Sequence, residues 1–519
     1  MTNTGDLFEG WTRDWTGKQF ILGEESLSYE DFGVRVNQLT NWMVSSGLRP
    51  NNVFAICIKN QSAVAVAVCA SLRAGAIFCV LDPACTDERF WQSIRLIKPK
   101  MILLDSSSIR FGSEMPSNIC LLSVGVGNST QAGVTLAEVF QLKVAPAPIV
   151  ARAGVDCAGL LLTSGSTSEP KAVMITHDNL RFSIEAIHRR LRYVDSDTIG
   201  IFLPLAFDYS LYQLFIGMRA RASIFLAGPD QVGPRFVSIL QKYSISVLPG
   251  VPVLLKSLLT LLGRRPGYTS ALKKLRLITN TGDYLSPTAV SQLHALLPGV
   301  SVCLMYGLTE CKRVSILLPS EFSTRPNSVG RPLDDTQAFV VGKDNQRLPP
   351  NQTGEIIVSG PHVSPGYWQD PDETRDRFGW DKHAKIRYLR TGDYGWIDEE
   401  GYIYFIARKG TLLKHRGYRI SAAEIEEATC NIEGILDAGV AQAPKNDRIY
   451  LFVVTAHGNL ATDRLLEKLS TILEPWKVPH EVRKVKSIPQ TPRGKCDRNR
   501  LEDWAIRSSM SSTRPPRSG

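Results

Sequence analysis

The sequence predicts an α/β fold: layered α/β subdomains with largely parallel sheets, then a β-rich subdomain, then a small α+β domain at the C-terminal end. Three observations predict it. Strand-length apolar runs and helix-length runs alternate through the greater part of the chain. From about Thr353 the texture turns to short β segments rich in Gly and Tyr, and after Arg408 a smaller mixed segment begins. At 519 residues the chain exceeds one hydrophobic core, so two or more domains are expected.

In chain order, Asn52–Ile58 reads as a strand, Ser62–Arg73 as a helix, Ala76–Leu81 as a strand, Asp87–Leu96 as a helix and Met101–Leu104 as a strand. Gly159–Leu162 and Val173–Ile175 read as strands on either side of a short loop, and Thr176 is placed to cap a helix starting near His177. The alternation continues through Ile199–Pro204, Ser210–Met218, Ser223–Ala227, Gly233–Tyr243 and Ser246–Gly250. In the last segment Ala422–Cys430 reads as a helix, with strands near Ala438–Gln442 and Tyr450–Ala456. A boundary at Ala407–Thr411 divides the chain into a core over 1–407, a hinge over 408–410 and a small domain over 411–507. The Ser/Pro/Arg-rich tail at 508–519, almost without apolar residues, reads as disordered.

The 43% hydrophobic and 21% charged content is that of an ordinary globular protein. Ten cysteines without a C-x-x-C pair point to reduced thiols in a cytoplasmic protein, against a disulfide framework or a zinc site. The N-terminus lacks the basic and apolar regions of a signal peptide. The longest apolar stretch, Ala63–Leu72, is too short to span a membrane. The net charge of +10 is concentrated near the end, where Arg483, Lys484, Lys486, Arg493, Lys495, Arg498 and Arg500 face only Glu481 and Asp497. Without aromatics or a recognition module, this run argues against a nucleic-acid partner and for polyphosphate or an acidic protein.

Residues 161–172 read Leu-Leu-Thr-Ser-Gly-Ser-Thr-Ser-Glu-Pro-Lys-Ala. Small residues let a backbone wrap an anion, hydroxyls and N–H groups donate to phosphate oxygens, and Lys171 adds charge. Composition alone leaves a solvated linker equally open. The flanking strands favour a phosphate-sized hairpin tip, and no Gly-Lys-Ser/Thr opens a helix as in a Walker loop.

Four further motifs follow in order: Leu-Met-Tyr-Gly-Leu-Thr-Glu ending at Glu310, Leu-Arg-Thr-Gly-Asp ending at Asp393, residues 407–420 (Ala-Arg-Lys-Gly-Thr-Leu-Leu-Lys-His-Arg-Gly-Tyr-Arg-Ile), and residues 488–498 with Gly-Lys-Cys-Asp-Arg. With these the chain resembles the adenylate-forming superfamily of acyl-CoA synthetases, firefly luciferase and the adenylation domains of non-ribosomal peptide synthetases, over residues 20–505. The resemblance implies a large N-terminal domain under a small C-terminal lid and a two-step reaction. A carboxylate attacks the α-phosphate of ATP to give an acyl-adenylate and pyrophosphate, and a thiol then takes the acyl group. By resemblance Thr163, Ser164, Gly165, Ser166, Thr167 and Lys171 cradle the β,γ-phosphates. Glu310 holds Mg²⁺, a hard cation that takes oxygen ligands. Tyr306 stacks on adenine with Thr281, Gly282 and Asp283 along its edge, and Gly307 and Thr309 complete the ATP site. Asp393 takes the ribose hydroxyls, and Arg408 meets ribose or phosphate from the hinge. Lys495, Lys171 and Thr309 are the implied catalytic residues, with Lys495 bridging the α-phosphate and the attacking carboxylate.

Three departures stand out. Ser168 and Ala172 replace loop glycines, and Gly410 replaces the usual polar hinge pivot. No carrier-domain signature follows Leu501, so the thiol acceptor is expected to be CoA or a separate phosphopantetheine carrier, with Gly417 as the point where its arm passes closely. Asp208 falls where amino-acid-activating relatives pair an aspartate with the substrate ammonium, and a turn or helix-capping role is the alternative. Tyr209, Tyr212, Thr279, Thr281, Met305, Arg313 and Val314 would line the same pocket, and Arg313 could take a second carboxylate. Equally, Lys312 and Arg313 could face ATP or solvent. The expected substrate is an amino acid, with a non-amino carboxylic or fatty acid as the alternative; a non-catalytic nucleotide-binding protein is the remote one.

Overall fold

A computed structural model describes residues 17–105, 116, 118–124, 134–143, 147, 149–164, 169–227, 231–265, 267–381, 385–408, 412–415, 418–442, 448–456, 461–475, 477–490 and 496–511. Its first sheet has seven strands in the order Val134–Thr135, Cys120–Val124, Met101–Asp105, Val53–Cys57, Ile77–Val80, Cys157–Ser164, Pro170–Thr176. All neighbours are parallel except the last two, which form an antiparallel hairpin. A second sheet of nine strands runs Arg331–Pro332, Cys311–Leu317, Ser301–Leu308, Leu277–Asn280, Val247–Gly250, Thr198–Ile201, Ser223–Leu226, Gln19–Leu22, Leu27–Ser28.

The two sheets enclose a shared helical layer, and strand alternation explains how. Phe54 and Ile56 face a core that also holds Ile199, Ile224 and Val247 of the second sheet, whereas Val53, Ala55 and Cys57 face a separate cluster with Phe90 and Ile94. Likewise Leu248, Ile278 and Phe225 turn to the far side of the second sheet, under the helices Phe236–Lys242 and Pro252–Arg264. Two helices fill the shared layer. In Gln61–Arg73 every residue from Ser62 to Leu72 is buried, and in Asp208–Ala220 so is every residue from Tyr209 to Met218. A helix apolar all round is stable only when covered on all sides. This layering holds Asp208, the first residue of its helix, at the end of a rigid element.

The β-rich unit is an antiparallel five-stranded sheet of Gln337–Val341, Gly354–Ser359, Phe378–Asp381, Ile386–Ile397 and Ile403–Arg408. It begins earlier than the expected Thr353, because Gln337–Val341 pairs across the long polar connection with Gly354–Ser359. The smaller C-terminal domain holds a hairpin, Leu412–His415 with Tyr418–Ser421, and a three-stranded sheet, Ile435–Gln442, Ile449–Thr455 and Glu481–Lys484. The helices Ala422–Cys430 and Thr462–Ile472 cover one face of that sheet and Arg498–Ser511 the other. It touches the large domain through Tyr284, whose hydroxyl donates to Glu427 at 2.9 Å, and Thr288 with Asn431 at 2.8 Å.

The basic run near the C-terminus is partly neutralised within the domain: Arg483 pairs with Glu481 at 2.6 Å and Arg498 with Glu426 at 2.8 Å, while Lys484 and Lys486 stay exposed. None of the ten cysteines forms a disulfide, and no helix among the described residues is long and apolar enough to cross a membrane.

Gly330 joins the second sheet to the β-rich unit. It has φ +90°, its carbonyl accepts from the Ile403 amide at 3.0 Å, and a Cβ there would fall 2.2 Å from the Ile316 carbonyl carbon. Gly330→Ala is therefore expected to lower stability by about 1–3 kcal/mol through strain and backbone clash. An unchanged urea midpoint would contradict that junction.

Candidate active site

The Thr-Ser-Gly-Ser-Thr segment is the tip of the hairpin that ends the first sheet, with Thr163 opposite Lys171 and Ser164 opposite Pro170. Its helix follows at once, and Thr176 caps it through a reciprocal box with Asn179. Gly165, Ser166, Thr167 and Ser168 lie outside the described residues, as do Gly410, Gly417, Lys495 and the end of the tail. Lys171 meets the Glu373 carboxylate at 2.7 Å, and its ammonium lies 5.6 Å from the centre of the Tyr367 ring. Neither partner was singled out from the sequence. They arrive because residues 366–368 zip onto the hairpin: the Met174 amide donates to the Gly366 carbonyl at 3.0 Å and the Trp368 amide to the Ala172 carbonyl at 2.8 Å. The adjacent aromatics of Gly-Tyr-Trp, in a polar stretch, were the available signal.

Thr309 and Glu310 form the two-residue turn of the hairpin Ser301–Leu308 and Cys311–Leu317, with Leu308 opposite Cys311. The turn looks two ways. Glu310 is buried and accepts from the Tyr367 hydroxyl at 2.7 Å, while Thr309 donates to the Asp208 carboxylate at 2.8 Å. Further back on the same strand, the Tyr306 hydroxyl donates to Asp393 at 2.8 Å, and Arg408 donates to the other Asp393 oxygen at 3.0 Å. Burial and the Asp393 charge raise the Tyr306 hydroxyl well above its ordinary range. Thr281 is buried; Gly282, at φ +90°, and Asp283 are exposed beside it, and the Asp283 carbonyl accepts from Asn280 at 3.2 Å.

Asp208 does not cap its helix; Phe207 holds that position without a side-chain bond. Its carboxylate is instead taken from both sides, by the Lys312 ammonium at 2.6 Å and by Thr309. Burial would raise the Asp208 carboxyl, but Lys312 and the two hydrogen bonds overcome this and hold it down at about 2. Burial pushes Lys312 down to about 8 against the pull of Asp208. An in-chain ammonium thus stands where the sequence reading put the substrate's. Lys312 and Arg313 face neither solvent nor an open surface: the Lys312 side chain is 6% exposed and Arg313 2%.

Arg313 donates to the Thr281 hydroxyl and stacks 5.5 Å from the Tyr209 ring centre. Tyr209 in turn shares a 2.6 Å hydrogen bond with Thr279, and Tyr212 lies 5.7 Å below the Lys312 ammonium. Met305 is buried in the shared layer. Val314, expected in this pocket, packs instead with Tyr306, Ile356 and Val358 under the β-rich unit, because successive strand residues face opposite sides.

The model of the AMP-binding enzyme family matches residues 8–368, and that of the AMP-binding enzyme C-terminal domain matches 424–495. The chain belongs to the AMP-binding enzyme family. Among curated relatives it is 26% identical to bacitracin synthase 1 of Bacillus licheniformis over 96% of this chain, spanning only 9% of that protein. It is 26% identical to zwittermicin A synthase ZmaJ of Bacillus cereus over 93% of this chain and 91% of that one. Among solved structures, ATP-bound MatB from Rhodopseudomonas palustris superposes with a TM-score of 0.85 at 24% identity, covering 97% of this chain and 99% of that one. The O-succinylbenzoate coenzyme A synthetase MenE from Bacillus subtilis, in complex with AMP, gives 0.82 at 21%, covering 97% and 98%. These likenesses show the fold: a large N-terminal and a smaller C-terminal domain.

In this AMP-binding enzyme the Asp208–Lys312–Arg313 cluster sets two buried cations against one carboxylate. Asp208→Asn leaves both cations without an anion and is expected to cost about 3–5 kcal/mol, most of it recovered in the Asp208→Asn, Lys312→Met double variant. Urea unfolding of the three proteins checks this; equal midpoints for the single variant and the parent would contradict the pairing.

Proposed function

We propose that this AMP-binding enzyme is an AMP-forming ligase that activates a carboxylic acid with ATP and passes the acyl group to a phosphopantetheine thiol of CoA or of a separate carrier protein. In the first step a carboxylate oxygen bonds to the α-phosphorus while the bond to the bridging oxygen breaks, so pyrophosphate leaves. In the second the thiolate attacks the acyl carbon and AMP leaves. One observation carries the reading: motif residues from three sheets converge as Tyr306–Asp393–Arg408 beside Lys171–Tyr367–Glu310.

Each group has chemistry suited to its role. A carboxylate accepts up to about four hydrogen bonds, so Asp393, with one donor on each oxygen, keeps lone pairs for two ribose hydroxyls. The Lys171–Glu373 pair is about a quarter exposed on each side, so exchanging Glu373 for a phosphate costs little. Glu310, whose buried carboxylate accepts from Tyr367, is the residue that would hold Mg²⁺, a hard cation that takes oxygen ligands. Bound there, Mg²⁺ would neutralise phosphate charge. Lys495 is assigned to the α-phosphate on its Gly-Lys-x-Asp-Arg motif. An amino acid is a second form of this reading, carried by Asp208 at the head of its helix; it requires the substrate ammonium to displace Lys312.

The test is ATP–pyrophosphate exchange by the full chain with Mg²⁺ across free acids and amino acids, where acid-dependent entry of labelled pyrophosphate into ATP is expected and acid-dependent formation of ADP in its place would refute the reading. Lys495→Ala should slow adenylation by about 10²–10³-fold while thioester formation from a supplied adenylate persists. Equal loss in both half-reactions would remove Lys495 from the role given it.

A further inference from the structure

The substrate class is written in the charge balance of the acid pocket. The Lys312 ammonium and the Arg313 guanidinium are both buried, and Asp208 is the carboxylate that acts on each of them. Both Asp208 oxygens are already engaged, one by Lys312 and one by Thr309. Arg313 is left with a neutral hydroxyl on Thr281 and the face of Tyr209, and among the described residues its buried Nε has no partner. A buried cation without an anion is costly, and a guanidinium offers a planar fork of donors matched to a carboxylate.

Gly307 is partly exposed and lies against Arg313: a Cβ there would sit 3.3 Å from the Arg313 Cα and 3.5 Å from a guanidinium nitrogen, so a longer side chain at this position would press on the guanidinium. Gly282, next to Thr281, is exposed. Arg313 touches neither the Tyr306–Asp393–Arg408 group nor the Lys171–Tyr367–Glu310 group, so a carboxylate reacting at the nucleotide does not neutralise it.

Resting on the adenylation reading, we propose that the acid is a dicarboxylic acid whose second carboxylate sits on Arg313, with no ammonium where Asp208 would receive one. The Asp208–Lys312 pair serves as a permanent substitute for a substrate ammonium, and the surplus charge of Arg313 selects an anion. Neutral and cationic ends are rejected because each leaves the guanidinium unpaired.

The experiment is pyrophosphate exchange by the full chain with succinate, glutarate and adipate, their monomethyl esters, matched monocarboxylates, and glutamate as the amine-bearing partner of glutarate. The best diacid should exceed its monomethyl ester by roughly 100-fold in kcat/KM, and glutarate should exceed glutamate. Arg313→Met should bring the diacid-to-ester ratio within a few-fold, chiefly through the KM of the diacid, and Arg313→Lys should restore part of it. An ester, monoacid or amino acid used as well as the best diacid overturns the proposal and leaves adenylation standing. A rise in the KM of ATP matching that of the diacid in Arg313→Met would assign the guanidinium to the nucleotide and equally overturn it. Exchange with no acid at all contradicts the adenylation reading itself.

Discussion

The site depends on the two-residue turn at Thr309–Glu310. Because Leu308 pairs with Cys311, both turn side chains project from an antiparallel edge of a sheet whose central strands are parallel. Thr309 reaches Asp208, Glu310 reaches Tyr367 on the segment that zips onto the first sheet's hairpin, and Tyr306 on the incoming strand reaches Asp393 in the β-rich sheet. A slip of one residue would reverse all three, since strand side chains alternate faces. The register is held by apolar burial on both sides of the strands, with Cys311 and Ile316 fully buried in different clusters.

Around this turn the protein buries several charges and satisfies most of them in pairs. Asp393 is held by a tyrosine and an arginine, and Asp208 by a lysine and a threonine. Such pairs add little net stability against an apolar core, but losing one partner is expensive, so their value lies in fixing geometry. The pairs proposed to meet the nucleotide are the more exposed ones: Arg408 keeps 54% of its side chain exposed and Lys171 26%. The Asp208–Lys312 pair has the opposite character, its lysine side chain being only 6% exposed.

Much of the fold was legible because local rules and tertiary structure agree. Ala422–Cys430 has the expected bounds, and Thr176 caps its helix as expected. The motifs on which the nucleotide site is proposed stand out in the sequence because each is a short run of unusual residues. What the sequence withheld were contacts set by distant register. Lys312 reaches Asp208 across 104 positions only because a hairpin strand lies beside a helix start, and no local pattern encodes that pairing. Tyr367 and Glu373 depend on a segment zipping onto the phosphate hairpin. Val314 was misjudged for a simpler reason, its neighbour Arg313 facing the other way on the same strand.

The small domain rests against the large one through Tyr284 and Thr288, beside the exposed Asp283 of the motifs proposed to bind the nucleotide. The central claim is that these motifs direct a carboxylate onto the α-phosphate of ATP. The most direct measurement supplies the enzyme with ATP and an acid labelled with heavy oxygen in its reacting carboxyl, under single turnover with a thiol acceptor. The account predicts that one heavy oxygen appears in the phosphate of AMP and none in pyrophosphate. With both carboxyl oxygens labelled, the second heavy oxygen stays in the carbonyl of the acyl product; unlabelled AMP, or label in pyrophosphate or inorganic phosphate, would contradict the account.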